Sequence, residues 1–296
     1  MSPDRTQHSG TPAADRRSAV SRPSLLRRTG RAILVLAFWL LVWQLAAMWA
    51  AREVIAEAWR AGDTEALLRA VLNGRELLLP GPALSLRTLA ELALTAEFWS
   101  TTGASLLRIF CGFAAGAVLG TALAVLTAAL PWADTLLSPA IRVVRAAPVA
   151  SFIILVLLWV QTGLVPGVIS ALMVLPVVWG NVHQGFRSTD PLLLEMARAY
   201  RFGRGKALRL VYLPSVLPHF ASGCTTALGL AWKSGVAAEV LCLPRLAIGS
   251  QVYYSKLSLE TPSLFAWTAV VILLSLALER LFKLLLERGR GAQAWR

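Results

Sequence analysis

Four stretches of this chain contain no Asp, Glu, Lys or Arg: residues 109–133, 146–186, 210–232 and 261–278. A helix satisfies its own backbone amides and carbonyls, and about 20 consecutive apolar residues in that form cross the hydrocarbon of a bilayer. Water-soluble cores rarely need uncharged runs this long, so these runs point to helices packed in lipid. The composition agrees: 56% of the 296 residues are hydrophobic and only 15% are charged, against about 25% charged in a soluble domain. A soluble enzyme, a disordered protein and a disulfide-built secreted domain are excluded on the same ground. Cys111, Cys224 and Cys242 stand apart, in or near apolar segments and without metal-ligand spacing. They read as buried small residues.

The formal charge of +13 does not mark a nucleic-acid binder, because the basic residues lie mostly between or outside the apolar runs. That placement fits a membrane protein oriented by basic cytoplasmic loops. A further uncharged run, residues 32–51, follows Arg27, Arg28 and Arg31. It exceeds the apolar region of about 7–15 residues in a cleaved signal peptide, so it reads as a retained span. Residues 1–30, rich in Ser, Pro and Arg, read as a disordered cytoplasmic tail.

The second span covers 109–133 and begins near Leu106. Its Gly112, Gly116 and Gly120 recur every fourth position, a stripe that lets another helix approach closely. Residues 146–186 as one helix would be about 60 Å long, twice the apolar thickness of a bilayer. A break is therefore expected at Gln161-Thr162-Gly163 and Pro166-Gly167, giving two spans and a short loop. The fifth span is expected over 218–241 and the sixth over 264–285, with a cytoplasmic tail at 287–296. Six spans place both termini on the same side, and the basic residues of the loops on that side far outnumber those opposite, which makes it the cytoplasmic side.

The long outer segment, 52–105, has structure of its own. Residues 52–72 show helical periodicity with Glu53, Glu57 and Glu65. Leu79-Pro80-Gly81-Pro82 forces a turn, and 84–98 reads as an amphipathic helix at the membrane surface or against the bundle.

Between the fourth and fifth spans lies the longest internal cytoplasmic loop, 187–217. Asp190 can cap a helix and Pro191 suits its first position. A short helix over 192–200 puts Leu193, Met196, Ala197 and Tyr200 on one face. A second, over 206–212, is expected to stop at Pro214. On residues alone, this helix pair either docks a cytoplasmic partner or rests on anionic lipid.

The loop resembles the EAA loop of ABC-transporter permease subunits, in which Glu-Ala-Ala is followed by Gly and then Ile-x-Leu-Pro. Here Glu195-Met196-Ala197 and Val211-Tyr212-Leu213-Pro214 stand at the corresponding distances. Met196 replaces the first alanine, and Arg201 stands where the family has glycine, with Gly203 two residues on; a differently built turn is expected. Further likeness runs over 79–285 and is closest to the nitrate, sulfonate and taurine permease group. It rests on Leu79-Pro80-Gly81-Pro82, the Ser105–Gly120 stretch, Arg145-Ala146-Ala147-Pro148, the segment Ala231 to Glu239, Ala247-Ile248-Gly249 and Leu259-Glu260-Thr261-Pro262. Residues 52–73 have no counterpart in that pattern.

The resemblance implies an all-α, six-span, MetI-like importer permease fold with its core over 106–286 and its coupling loop at 187–217. It implies a non-catalytic subunit in a prokaryotic cell membrane, in contact with lipid and not nucleic acid. It also implies three partners: cytoplasmic ABC ATPases, an extracytoplasmic solute-binding protein and a second permease copy, as a homodimer. ATP and magnesium would belong to the ATPase, and this chain has no GxxxxGK[ST] phosphate loop of its own. The coupling residues carried over are Glu195, Met196, Ala197, Ala199, Tyr200, Arg201, Gly203 and Pro214. On physics alone Glu195 reads rather as a helix-start acid interacting with the helix dipole.

Candidates along the substrate pathway are Trp159, Asn181, Trp232, Lys233 and Glu239. An ionisable group inside a span is expensive and usually faces an interior. Lys233 either attracts an anionic substrate, or pairs with another span or snorkels. Six positions apart on a helix, Lys233 and Glu239 lie about 120° apart and are not expected to pair with each other. His183 reads as a packed or hydrated side chain. The substrate implied is a small nitrate-, sulfonate- or taurine-like anion, or alternatively a vitamin precursor. The competing class is a self-contained secondary transporter or channel, against which the two halves show no internal repetition.

Overall fold

The computed structural model describes residues 25–75 and 78–293. Its order is α1 (Leu25–Ala50), α2 (Arg52–Ala61), α3 (Thr64–Asn73), a two-residue antiparallel ribbon β1–β2 (Gly74–Arg75 with Leu79–Pro80), α4 (Pro82–Ala93) and α5 (Ala96–Ala129). There follow α6 (Pro131–Ala146), α7 (Val149–Val156), α8 (Val165–Arg187), α9 (Pro191–Ala199), α10 (Arg204–Ala207), α11 (Leu213–Cys242), α12 (Ile248–Leu257) and α13 (Thr261–Gln293). Most of the expected tail, 1–24, lies outside the described residues.

The core is α8 held between α5 and α11. Val174, Val178 and Val182 recur every fourth residue on α8 and are wholly buried. The glycine stripe of α5 faces α8. A Cβ on Gly116 would stand 2.6 Å from the Ala171 carbonyl oxygen, and one on Gly120 2.7 Å from that of Leu175. Gly112 meets the Gly167 backbone in the same way. The backbones therefore touch, which only small residues permit. At one end of the bundle Phe98 stacks on Trp267 at 5.2 Å, tying α5 to α13. Fully buried Trp232 donates its Nε1–H to the Val271 carbonyl at 3.0 Å.

Helix α1 joins through Trp43, which donates to the Pro80 carbonyl at 3.1 Å and stacks on Phe265 at 5.7 Å. Its other faces expose Leu34, Leu36, Phe38 and Trp39. Helices α1, α5 and α8 are long and apolar enough to cross a membrane, and the pair α6–α7, bent by 103°, adds a fourth if it counts as one crossing. Helices α11 and α13, of 30 and 33 residues, exceed the 30 Å of a hydrocarbon core by length. Each carries charge within it: Lys233 and Glu239 in α11, Glu279, Arg280 and Lys283 in α13.

Several expected boundaries move. The second span starts at Ala96, not near Leu106, because Thr95 accepts from the Phe98 amide and caps α5 there. That cap also divides the expected 84–98 helix into α4 and the first turn of α5. The 52–72 segment is two helices, since Gly62 at φ 71° ends α2 and Asp63 caps α3. The first half of 146–186 is not a straight span. Helix α7 has eight residues, about 12 Å, and turns fill 157–164. Pro166 does not break a helix; it sits in the first turn of α8, where a missing amide costs nothing. The stretch taken as an outer loop before the sixth span contains α12, and the helical backbone of α13 runs through most of the expected C-terminal tail.

Pro214 does not stop the loop's second helix either. Residues 208–212 form a π turn that runs directly into α11, with the Leu213 amide donating to the Leu208 carbonyl five residues back. Widening the helix there relieves the clash that a proline ring makes with the carbonyl four residues earlier. The helix expected as the fifth span thus begins at Leu213, five residues before the expected start, with Pro218 inside it.

Candidate functional site

Helix α9 projects at the end of the bundle where α5 finishes and α11 begins. Asp190 accepts from the Leu192 amide at 2.9 Å, and Pro191 occupies the first turn. Ala197 is 5% exposed and sits against the segment that leads into α11. The remaining faces are open: Leu192, Leu193, Met196 and Tyr200 are exposed apolar side chains, and Glu195, Ala199 and Arg201 are exposed beside them. Of the predicted apolar face, only Ala197 turns inward. The other three side chains are left uncovered, which a lone globular surface avoids.

The joint after α9 is built around Arg201. Its φ is 50°, the left-handed conformation that glycine adopts without a steric penalty. The Arg201 amide donates to the Arg198 carbonyl at 3.0 Å, and the Phe202 amide to that of Ala197 at 2.8 Å, closing the helix end. At the position where the resemblance has glycine, the backbone is thus in the conformation that favours glycine, with arginine bearing it. Gly203 has an ordinary φ of −64° and starts α10. Lys206 lies 4.7 Å over the Phe202 ring, and Tyr212 contacts Phe186 of α8 at 5.8 Å. Helix α9 is thereby joined through a short link to both α8 and α11. Pro214 is exposed in the first turn of α11.

The pathway candidates do not form one cluster. Trp159 is 74% exposed in the turns after α7. Asn181 is half-buried on α8, donating to the Val177 carbonyl at 2.8 Å and filling the space beside Gly223. Trp232 lies in the core between α11 and α13. Lys233 faces outward on α11, on an uncovered stripe with Ser222, Thr226, Leu230 and Ala237. Glu239 is wholly buried. It accepts from Ser105 Oγ at 2.9 Å, from Arg108 Nη1 at 3.0 Å and from the Gly249 amide at 3.1 Å. Ser105 Oγ also accepts from the Ile248 amide at 2.9 Å, so the carboxylate binds α5, α11 and the start of α12 together. Arg108 additionally donates to the Arg245 carbonyl at 3.4 Å.

The sequence reading missed Arg108 as Glu239's partner. The signal was present, since Ser105 and Arg108 belong to the same resembling stretch and Arg108 is the charge that opens the 109–133 run. His183 packs as expected: its Nδ1 lies 3.0 Å from Thr127 Oγ1, which also accepts from Trp179 Nε1 at 3.0 Å. Among the described residues no group of three or more His, Cys, Asp or Glu is placed to hold a metal ion.

Close-packed apolar helices around α8, several of them long and apolar enough to cross a membrane, define a polytopic membrane protein. Residues 116–290 match the family of binding-protein-dependent transport system inner membrane components, and the chain belongs to that family. It is 30% identical over 165 residues to a putative aliphatic sulfonates transport permease protein of Bacillus subtilis, across 55% of this chain and 60% of that protein. It is 29% identical to the riboflavin transport system permease protein of Chloroflexus aurantiacus, across 74% and 80%. It is 26% identical to the taurine transport system permease protein of Escherichia coli, across 69% and 76%. The fold is shared with a chain from the crystal structure of an amino acid ABC transporter with histidines, at TM-score 0.57 and 16% identity, covering 69% of this chain and 97% of that one. The chain is thus an ABC importer permease of the binding-protein-dependent type, a transport subunit and not an enzyme.

Proposed function

We propose that this chain crosses the inner membrane six times, through α1, α5, α6–α7, α8, α11 and α13, with both termini and α9 in the cytoplasm. In this reading α9 docks into a groove on a separate ABC ATPase, and nucleotide-driven closure of the ATPases pulls on it. The observation that carries the proposal is α9 itself: Leu192, Leu193, Met196 and Tyr200 stand exposed around Glu195, on a helix held through Ala197, half-buried Leu194 and the Arg201 joint. An uncovered apolar face beside a charge suits a protein partner better than water. The Arg201 joint, the π turn and α11 would carry the pull to the pathway, whose two states need similar free energies.

The outward stripe of α11 supports a second copy. An ammonium exposed to lipid at mid-span costs about 2.5–3.5 kcal/mol on insertion scales, so Lys233 belongs against a partner subunit or a wet pathway. In a homodimer two such lysines would flank a shared channel and favour a small anion, in line with the relatives named for sulfonates and taurine. A solute-binding protein would deliver it. The riboflavin permease, which aligns over more of the chain, supports the vitamin-precursor reading.

The test is copurification and reconstitution. The chain should carry an ABC ATPase through detergent extraction, and vesicles should take up solute only with that ATPase, ATP and the binding protein present. Uptake by the permease alone would overturn the proposal. A thermal-shift screen of the binding protein with taurine, alkanesulfonates and riboflavin would decide the substrate.

A further inference from the structure

One cavity beside α8 holds charge that neither the coupling helix nor the Arg108–Glu239 pair uses. It has a volume of about 320 Å³ and lies between α6 and the second half of α8. Asp134, Arg142 and Arg145 line it from α6, and Pro176, Gly180 and Arg187 from α8. Arg187 is the last residue of α8, whereas Pro176 stands half-way along that helix. Asp134 and Arg187 also border a neighbouring cavity that reaches the end of α5 and the loop residues Leu208 and Tyr212. They therefore mark the cytoplasmic end. Arg142 and Arg145 follow Asp134 by about two and three turns of α6, toward the Pro176 end. In the topology proposed above, the cavity starts at the cytoplasm and reaches the middle of the bilayer.

None of the three arginines has an ion-pair partner among the described residues. All three are exposed in the single chain. The one acid in the wall, Asp134, already accepts a hydrogen bond from the Ser138 hydroxyl. Arginine at bilayer depth is expensive unless it faces water or a counter-charge. The chain supplies no free counter-charge here, so the cavity is wet and its anion comes from outside. Gly180 keeps the wall open half-way up, because a Cβ there would meet nothing within 4 Å. A wet chamber with three free guanidiniums and one engaged carboxylate draws in anions and repels cations.

We infer that this chamber is the inner station of the transport pathway, a weak binding site for a small sulfonate-class oxoanion. Arg142, Arg145 and Arg187 hold the anion on its way to the cytoplasm. The inference rests on the membrane placement and the anionic substrate proposed above, and adds where the anion goes after Lys233. That lysine lies about 30 Å of helix beyond the start of α11 at Leu213, so it belongs to the outer half. Guanidinium forks match paired oxygens of an oxoanion. Long, exposed side chains hold it firmly enough to draw it in and loosely enough to let it leave.

The test places a thiol in the chamber of the full chain, without any ATPase, so loss of coupling leaves its outcome untouched. Gly180→Cys is introduced with Cys111→Ala, Cys224→Ala and Cys242→Ala. Its labelling by anionic 2-sulfonatoethyl methanethiosulfonate is compared with that by the trimethylammonium reagent, each relative to its rate with free cysteine. The anionic reagent should be favoured, and ethanesulfonate should slow it saturably at constant ionic strength. Arg142→Gln/Arg145→Gln should lower the preference roughly five-fold. Arg280→Gln/Lys283→Gln, in α13, should leave it unchanged. Equal preference for the two reagents, an unreactive thiol, or no saturable protection overturns the chamber. In intact spheroplasts the anionic reagent should not reach the thiol until the membrane is opened. Labelling before opening overturns the membrane placement and the station with it. If the cysteine variant fails to fold, thermal unfolding of the wild-type chain decides. Ethanesulfonate should raise the unfolding temperature above that in equal chloride, and equal temperatures overturn the site.

Discussion

Arg108 on α5 and Glu239 on α11, 131 positions apart in the chain, meet as an ion pair, Nη1 to Oε1 at 3.0 Å. The arginine side chain is 19% exposed and the carboxylate 0%. The carboxylate's other two partners, Ser105 and the Gly249 amide, make this a clamp joining three elements. Removing one member of a buried pair strands the other, at a cost of about 3–5 kcal/mol. Glu239→Ala should therefore lower thermal stability in detergent sharply, and Arg108→Gln/Glu239→Gln should recover part of the loss. A Glu239→Ala protein with wild-type melting would show that the clamp holds nothing.

Gly116 tests the α5–α8 seam at a point well inside both helices. A side chain there must displace the Ala171 backbone, so Gly116→Leu should destabilise by about 1–3 kcal/mol, the range for overpacking. Gly103, with nothing within 4 Å of a Cβ, is the matched control: Gly103→Leu should be near neutral. Comparable unfolding temperatures for the two leucine variants would contradict the packing.

Arg201 bears a left-handed backbone that costs an L-residue about 1–2 kcal/mol. Arg201→Gly should stiffen the α9 joint, seen as slower hydrogen exchange over 197–203, while the chain stays assembled. Faster exchange in the glycine variant would mean that the arginine side chain, not the backbone, holds the turn.

Glu195→Lys should leave the chain inserted and folded, with the same melting temperature, yet reduce both uptake and permease-stimulated ATP hydrolysis. An exposed helix acid contributes only about 0.3–1 kcal/mol through the dipole, so stability cannot account for a large loss. Unchanged transport in reconstituted vesicles removes Glu195 from the coupling set.

Lys233→Gln should lower uptake of a sulfonate substrate more than it alters stability, since its side chain is exposed on α11 in the single chain. Equal uptake of a labelled sulfonate by both forms would place Lys233 off the pathway.

The apolar runs, the glycine stripe, the helical loop at 187–217 and the family were legible from residue order, because lipid solvation and the 3.6-residue period act locally. Even Ser105, Arg108 and Glu239 lay within the resembling stretches. The joining of Arg108 to Glu239 was not legible, because pairing across 131 positions depends on how α5 and α11 cross, and no local pattern records a crossing. The same holds for Pro214 and Pro166, which read as breaks but sit where a π turn or a first turn excuses the missing amide. The crosswise set of α6, bent by 103° from α7, likewise emerged only in three dimensions. Sequence alone determined that the chain carries membrane helices and where its charged helical loop falls, since both follow from where charge is withheld and restored. Only the tertiary structure decided which buried charges neutralise each other and which face of each helix is left for something else to cover, because those are properties of contacts between elements distant in the chain.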